Sequence, residues 1–140
     1  NPYGDHWNED MPAVWASELQ KRLTPSVISI ADTIGAADPE LVERVFSRVV
    51  TEVGHEIVGA HLHIHPMEGL EKIKAAHRGG CFRMDGALRG VGGCPMAQDD
   101  LVGNVPTEWI VEWAGKSGLW QPAQPQALDQ ALSLAADLFA

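Results

Sequence analysis

Residues 57–64, with the sequence IVGAHLHI, form an apolar run that carries two histidines near its end. Valine and isoleucine are frequent in strands, and an uncharged run of this length is typical of a strand buried in a parallel sheet. Shorter, mainly apolar runs lie on either side, VISIA at residues 27–31 and CFRM at residues 81–84. The sequence therefore predicts three strands, at 27–31, 57–64 and 81–84.

Helical patterns separate these runs. Asp38 and Pro39 form an N-cap followed by proline at the first helical position, and a valine-rich stripe with the helical repeat follows them. Helices are predicted over residues 11–23, 41–53, 67–78, 107–113 and 126–139. Strands that alternate with helices of this length indicate an α/β fold with a parallel sheet. Residues 86–106 are glycine-rich and aperiodic, and a loop this long in a compact domain is usually either functional or disordered.

The composition and charge of the chain argue against several classes of protein. The chain has 140 residues, of which 45% are hydrophobic and 21% charged, as expected for one globular domain. Its formal charge of -9 argues against a nucleic-acid partner, because no basic stripe is available to neutralise phosphates. No apolar run approaches the roughly 20 residues of a membrane span, and no secretory leader is visible. We therefore expect no membrane partner and a cytoplasmic location.

Four polar residues fall at or just beyond the ends of the three predicted strands: Asp32, His61, His63 and Asp85. The carboxyl ends of parallel strands meet at one rim, where barrels and open α/β sheets build their active sites. Asp85 is expected to bond loop amides. Asp32 is compatible with orienting a ligand, with acid–base chemistry or with capping the turn that follows it.

The two strand histidines suit a metal. His61 and His63 are two residues apart, so they face the same way at about 6.6 Å along the strand. Imidazoles at this spacing can share one ion, although the same pair could also make ordinary hydrogen bonds at a strand end. His65 continues the alternation but precedes Pro66 in the loop, and we interpret it as a bystander.

Three residues of the glycine-rich loop and the helix after it are further candidates. Cys94 lies between Gly93 and a proline, a poor position for core packing and a suitable one for a reactive thiol, although a structural loop cysteine is the alternative. Asn104 could supply an amide oxygen to a hard divalent ion or could simply occupy a turn. Glu108 lies in the first turn of a predicted helix, where the helix dipole favours a carboxylate in any case.

Together these motifs resemble hydroxymethylglutaryl-CoA lyase and its bacterial relatives, within a wider family of metal-dependent TIM-barrel lyases and acyl transferases. The resemblance rests on SIADTIG at residues 29–35, GAHLH at 59–63, GGCPMA at 92–97 and GNVPTE at 103–108. It implies that residues 1–140 are the C-terminal part of a (β/α)8 TIM barrel, from the loop after the fifth strand onward. The glycine–glycine–cysteine–proline loop is its most specific mark.

The resemblance also implies roles for the site residues. His61, His63 and Asn104 would bind a divalent cation, Mg²⁺ or Mn²⁺. Cys94 would be the general acid or base on a mobile loop, Asp32 a catalytic carboxylate near the substrate hydroxyl, and Glu108 a supporting group behind the loop. A further family ligand, an aspartate on the first barrel strand, has no counterpart in this sequence.

The implied reaction is retro-Claisen cleavage of hydroxymethylglutaryl-CoA, or a related 3-hydroxyacyl-CoA, to acetyl-CoA and a keto acid. The expected partners are the acyl-CoA substrate and the N-terminal half of the barrel, in the same or a separate chain, in a homodimer. Two alternatives remain open. One is another metal-dependent TIM-barrel aldolase or acyl-CoA condensing enzyme, and the other is an inactive metal-binding half-barrel.

Overall fold

The computed structural model describes residues 4–94 and 102–139, in which strands and helices alternate along the chain. The helices and strands, in chain order, are α1 (Met11–Leu23), β1 (Ile28–Asp32), α2 (Pro39–Val53), β2 (Val58–Ile64), α3 (Glu71–Arg78), β3 (Arg83–Met84), β4 (Gly103–Asn104), α4 (Thr107–Lys116) and α5 (Pro125–Leu138). Three short 3-10 turns lie at His55–Ile57, Pro66–Glu68 and Leu88–Gly90. The predicted alternation of strands and helices is confirmed.

The sheet places β2 in the centre. β1 and β3 pair with it on either side, and both pairings are parallel. The register sets Ala31 of β1 opposite His61 of β2, so the two strands end at the same level. β4 adds an antiparallel pairing at the end of β2, with Asn104 directly opposite His63. His63 and Asn104, which are far apart in sequence, are thereby brought to one rim.

The core lies between one face of the sheet and helices α2 and α3. α2 buries its predicted stripe against it, namely Val42, Val45, Phe46 and Val49. Asp38 caps this helix, because its side chain accepts a bond from the amide of Leu41 at 2.7 Å. The opposite face of the sheet is more open, since Ser29 and Ala31 of β1 are exposed and His61 is half-buried.

The segment after β2 differs from the predicted helix over 67–78. Pro66–Glu68 is a 3-10 turn closed by a capping box, in which His65 accepts from the amide of Met67 and Glu68 accepts from that of His65. Gly69 then takes φ +58°, and the α-helix begins only at Glu71. The pattern of apolar residues gave no sign of this break. His65 is therefore a turn-forming residue.

Other boundaries also move. The third strand begins at Arg83 rather than at residue 81, and the short strand β4 lies inside the segment predicted to be a loop. In α1 the predicted helix is confirmed at both ends, but Trp15 and Leu19 remain exposed, and the buried residues are Ala16 and Ser17.

Candidate metal centre and active site

The candidate metal ligands His61, His63 and Asn104 lie together where β2 meets β4. The rings of His61 and His63 have their centres 5.4 Å apart, with an angle of 83° between their planes. An ion about 2.1 Å from a ligating nitrogen lies about 3.2 Å from the ring centre, so two rings on one ion have centres within about 6.4 Å. The pair is therefore close enough to share an ion, and Asn104 is paired with His63 across the strands.

A backbone contact orients the imidazole of His63. Its Nδ1 lies 3.1 Å from the carbonyl oxygen of Asp32, and a carbonyl can only accept, so Nδ1 carries the proton. The other nitrogen, Nε2, is then left with a lone pair for a metal. A second hydrogen bond of this kind is a regular feature of histidines that bind metals. His63 is buried, which limits the alternative positions of its ring.

His61 has a carboxylate as its neighbour. Its Nδ1 is 3.7 Å from Oδ2 of Asp85, and the same oxygen accepts a bond from the Ser29 hydroxyl at 2.9 Å. The sequence led us to expect Asp85 to bond loop amides, but these contacts turn its side chain toward the open face of the sheet. The Asp85 carboxylate, which the Ser29 hydroxyl holds in place, can therefore orient the imidazole ring of His61.

The side chain of Asn104 is also held in one orientation. Its Nδ2 donates to the carbonyl of Val91 at 3.0 Å, which leaves the amide oxygen for another partner. The backbone amide of Asn104 donates to the carbonyl of Gly92 at 3.2 Å. The glycine loop therefore lies directly against the strand that carries this candidate ligand.

Close packing of that loop depends on its glycines. Gly92 has φ +88°, and a Cβ there would be 3.1 Å from Nδ2 of Asn104. A Cβ on Gly93 would be 2.9 Å from the carbonyl oxygen of Val102. Cys94 follows, half-buried, as the last described residue before the gap. Residues 95–97 of the motif lie outside the described residues.

Glu108 bonds to the turn that precedes the glycines of this loop. Its Oε2 accepts a bond from the backbone amide of Arg89 at 3.0 Å. Arg89 has φ +59°, a left-handed conformation that costs energy for a residue with a side chain. Glu108 thus helps to hold the turn Leu88–Gly90, which leads into the glycines and Cys94.

Asp32 caps the turn that follows β1, one of the three roles that its sequence position allowed. Its Oδ1 accepts from the amide of Ala36 at 3.0 Å, and its Oδ2 accepts from that of Ala37 at 3.2 Å. Oδ2 also accepts from the ammonium group of Lys72 at 3.1 Å. With both oxygens occupied, the carboxylate is better suited to holding the rim in shape than to taking a proton.

Lys72 is the residue of this region that the sequence analysis missed. It is fully buried on the inner face of α3, where a lysine is rare without partners. A signal for it did exist, because Lys72 shares its helical face with Ala75 and Ala76 and stands four residues after Glu68. A charged residue in the apolar stripe of a short helix indicates a buried ion pair.

The donor set fits a hard divalent cation but is incomplete. Within residues 4–94 and 102–139, no cluster of three or more His, Cys, Asp or Glu side chains could hold a metal. Two imidazoles and one amide oxygen make three candidate ligands, and Mg²⁺ or Mn²⁺ prefers further oxygen ligands. Water, substrate or a carboxylate from other strands would have to supply them.

Comparison with known proteins identifies the class. Residues 10–134 match the family model described as HMGL-like, which covers most of the chain. The chain therefore belongs to the HMGL-like family. Its α/β fold matches part of the TIM barrel of solved hydroxymethylglutaryl-CoA lyases. The match to that of Pseudomonas aeruginosa has a TM-score of 0.84 at 28% identity and covers 99% of this chain and 46% of that one.

Individual relatives carry the same name. The hydroxymethylglutaryl-CoA lyase of Bacillus subtilis is 32% identical over 112 residues, which are 78% of this chain and 37% of the relative. The human 3-hydroxy-3-methylglutaryl-CoA lyase described as cytoplasmic is 34% identical over 106 residues, 74% of this chain and 28% of the relative. The Acinetobacter baumannii enzyme, solved with coenzyme A and 3-methylmalate, matches at 33% identity and a TM-score of 0.76 over 96% of this chain and 44% of that one.

The chain spans about a third of the length of these curated relatives and less than half of the solved enzymes. Among the described residues, no helix is long and apolar enough to cross a membrane.

Proposed function

We propose that this chain supplies the C-terminal half of a metal-dependent carbon–carbon lyase that cleaves hydroxymethylglutaryl-CoA or a closely related 3-hydroxyacyl-CoA. The observation that carries the proposal is the meeting of His61, His63 and Asn104 at the end of β2, with the Cys94 loop packed against Asn104. The relatives named for this activity support the same substrate class. The structure with coenzyme A supports an acyl-CoA ligand.

The metal site of the proposal consists of His61 and His63 through their Nε2 atoms and Asn104 through its amide oxygen. A bound Mg²⁺ or Mn²⁺ would polarise the substrate oxygens and favour loss of the tertiary hydroxyl proton. Neighbouring groups of the chain keep these three ligands in position to bind one ion. The contact of His63 with the Asp32 carbonyl and the contact of Asn104 with the Val91 carbonyl serve that purpose.

Cys94 takes the role of the proton donor. When the bond between C2 and C3 of the substrate breaks, the electron pair remains on C2 as the enolate of acetyl-CoA. The thiol of Cys94 delivers a proton to that carbon and becomes a thiolate, which then takes up the proton lost from the hydroxyl, so the thiol is regenerated and the exchange balances. Asp32 would be the carboxylate near the substrate hydroxyl, held in position by Lys72, and Glu108 keeps the loop in place through Arg89.

The proposal also includes the protein partners of this chain and its location in the cell. The N-terminal strands of the barrel, from the same or a separate chain, would bring the remaining oxygen ligand and close the sheet. A homodimer in the cytoplasm is the expected assembly, and the human relative described as cytoplasmic is consistent with that location.

The test is cleavage of hydroxymethylglutaryl-CoA by the longest natural form of the protein, with and without Mg²⁺ or Mn²⁺. Release of acetyl-CoA should require the metal, and Cys94→Ala should lower kcat by about 10²- to 10⁴-fold. Cys81→Ala is the matched control, because Cys81 is fully buried between β2 and β3, and the substitution should leave kcat within about twofold.

Three results would change the assignment. Metal binding without cleavage of any hydroxyacyl-CoA would favour an inactive metal-binding barrel. Metal-dependent cleavage that is the same in Cys94→Ala and wild type would remove the cysteine from the mechanism. Activity on a different acyl-CoA would keep the reaction and change the substrate.

A further inference from the structure

Lys72 is the one lysine in the described part of the chain whose side chain is completely buried. It projects from α3 on the face that also buries Ile73, Ala75 and Ala76. Burying an ammonium group is costly unless its charge and all of its N–H groups find partners. The contacts of the Lys72 ammonium group therefore indicate its role in the structure.

The ammonium group of Lys72 joins three separate segments. Its Nζ donates to Oδ2 of Asp32, the last residue of β1, at 3.1 Å and to the carbonyl of Gly35, in the turn that follows, at 2.7 Å. It also donates to the carbonyl of His63 at 3.3 Å, at the end of β2. Oε2 of Glu68 lies 3.4 Å away, in the turn before α3. Three N–H donors thus meet three acceptors, the Asp32 carboxylate balances the charge, and the partly exposed Glu68 carboxylate lies close by.

These contacts surround His63. The Asp32 carbonyl receives the bond from Nδ1 of the His63 ring, while the Asp32 carboxylate is held by Lys72. The backbone carbonyl of His63 is held by the same ammonium group. Lys72 therefore fixes both the backbone of this residue and the acceptor that orients its imidazole.

We infer that Lys72 is a positioning residue for the metal site, which keeps Nδ1 of His63 on the Asp32 carbonyl and Nε2 directed to the ion. The inference rests on the metal site proposed above. An ammonium group suits this role because its three donors can point to three converging oxygens, whereas the planar fork of an arginine cannot. Lys72 itself does not touch the ion or the substrate.

The experiment compares Lys72→Met with Lys74→Met in the longest natural form of the protein. Lys74 is the matched control, because it lies on the same helix, is partly exposed and pairs only with the nearby Glu71 in the described structure. Mn²⁺ affinity is measured from free Mn²⁺ by electron paramagnetic resonance. Lys72→Met should weaken it about 10- to 100-fold, and Lys74→Met should leave it within about twofold.

A second readout needs no metal. Imidazole ¹⁵N shifts of the metal-free protein at pH 8 should show His63 protonated at Nδ1 in wild type and in Lys74→Met. In Lys72→Met the two tautomers should both be present, because the carbonyl acceptor is no longer held. A purely structural lysine would lower the melting temperature without changing the tautomer or the Mn²⁺ affinity of the folded protein.

The outcomes separate the two proposals. Absence of Mn²⁺ binding in wild type would overturn the metal site, while the tautomer comparison would still test Lys72. Unchanged tautomer and affinity in folded Lys72→Met would overturn the role of Lys72 alone. If Lys72→Met does not fold, the double variant Lys72→Met and Asp32→Asn is used, because it removes both members of the buried ion pair. The imidazole shifts and the Mn²⁺ affinity of the double variant are then compared with those of wild type in the same way.

Discussion

The two cysteines of the chain have different surroundings. Cys81 is fully buried between β2 and β3, and its Sγ lies 3.2 Å from the carbonyl of Arg83. Burial raises the pKa of the Cys81 thiol to about 11, because the thiolate would lose its hydration. Cys94, in contrast, is only half-buried in the glycine loop. A thiol reacts as the thiolate, so position alone should make one cysteine inert and the other available.

We predict that iodoacetamide at pH 8 modifies Cys94 at least about 100-fold faster than Cys81, with the raised pKa and the burial acting together. Peptide mapping by mass spectrometry after timed quenching measures both rates in one sample. Cys94→Ala should abolish the fast phase, whereas Cys81→Ala should leave it. Comparable rates at the two sites in the folded protein would show that Cys81 is not buried as described.

The same shift makes stability depend on pH. The folded pKa of Cys81 lies above its ordinary value of 9.0, so folding favours the protonated thiol. This contribution is fully present below about pH 9 and is lost as the pH rises toward 11. Urea unfolding of wild type should therefore show a steeper loss of stability between pH 9 and 11 than Cys81→Ala. Parallel pH profiles for the two proteins would contradict the assignment.

The sequence allowed the metal candidates to be predicted residue by residue, but not the contacts that orient them. His61 and His63 were identified because alternation along a strand is a local rule, and Asn104 because of the resemblance. The bonds of Lys72 to Asp32 and of His63 to the Asp32 carbonyl join residues more than 30 positions apart. Such contacts follow from the pairing of β1 with β2 and from the packing of α3 against the sheet, which no local pattern specifies.

At the scale of elements, a carboxylate of α4 bonds to the turn that leads into the glycine loop. Glu108→Ala removes the acceptor of the Arg89 amide in an exposed turn, where water takes its place. We expect a loss of about 0.5–1.5 kcal/mol in unfolding free energy and faster hydrogen exchange of the Arg89 amide. Glu112→Ala is the matched control, because its partner Lys116 is exposed, and the loss should stay within about 0.5 kcal/mol.

A second prediction concerns the contact between the glycine loop and β4. Gly93→Ala would place a Cβ 2.9 Å from the Val102 carbonyl, so the loop must move away from Asn104. We expect about 1–3 kcal/mol of destabilisation by chemical denaturation, together with weaker Mn²⁺ binding. Gly115→Ala is the control, since its new Cβ meets nothing closer than 3.9 Å and lies in a helix, where alanine stabilises. Equal effects of the two substitutions would refute the close packing.

Element boundaries show where sequence patterns stop being informative. α2 was predicted nearly to its ends because a cap, a proline and a long stripe agree. β4 has only two residues and exists because Asn104 pairs with His63, so no period of its own could mark it. Gly69 with φ +58° shortens α3 through backbone geometry that the apolar pattern does not record.

At the scale of the whole molecule, the sheet is open at both sides. Among residues 4–94 and 102–139, β1 and β3 each pair only with β2, so each has one free edge. The face that carries Ser29, Ala31 and His61 is exposed to a large extent, although it is polar rather than apolar. In a closed barrel such a face lines the interior, and neighbouring strands cover both edges.

Because unpaired strand edges promote association between chains, we predict that residues 1–140 expressed alone form mixed oligomers and unfold without a sharp transition. Co-expression with the N-terminal strands of a related barrel should yield a compact complex that unfolds cooperatively and binds Mn²⁺. Size-exclusion chromatography with light scattering and calorimetry measure both properties, and His63→Ala in the complex should abolish metal binding while the complex remains assembled. A compact monomer of residues 1–140 that melts cooperatively would show instead that this half of the barrel is stable without the other.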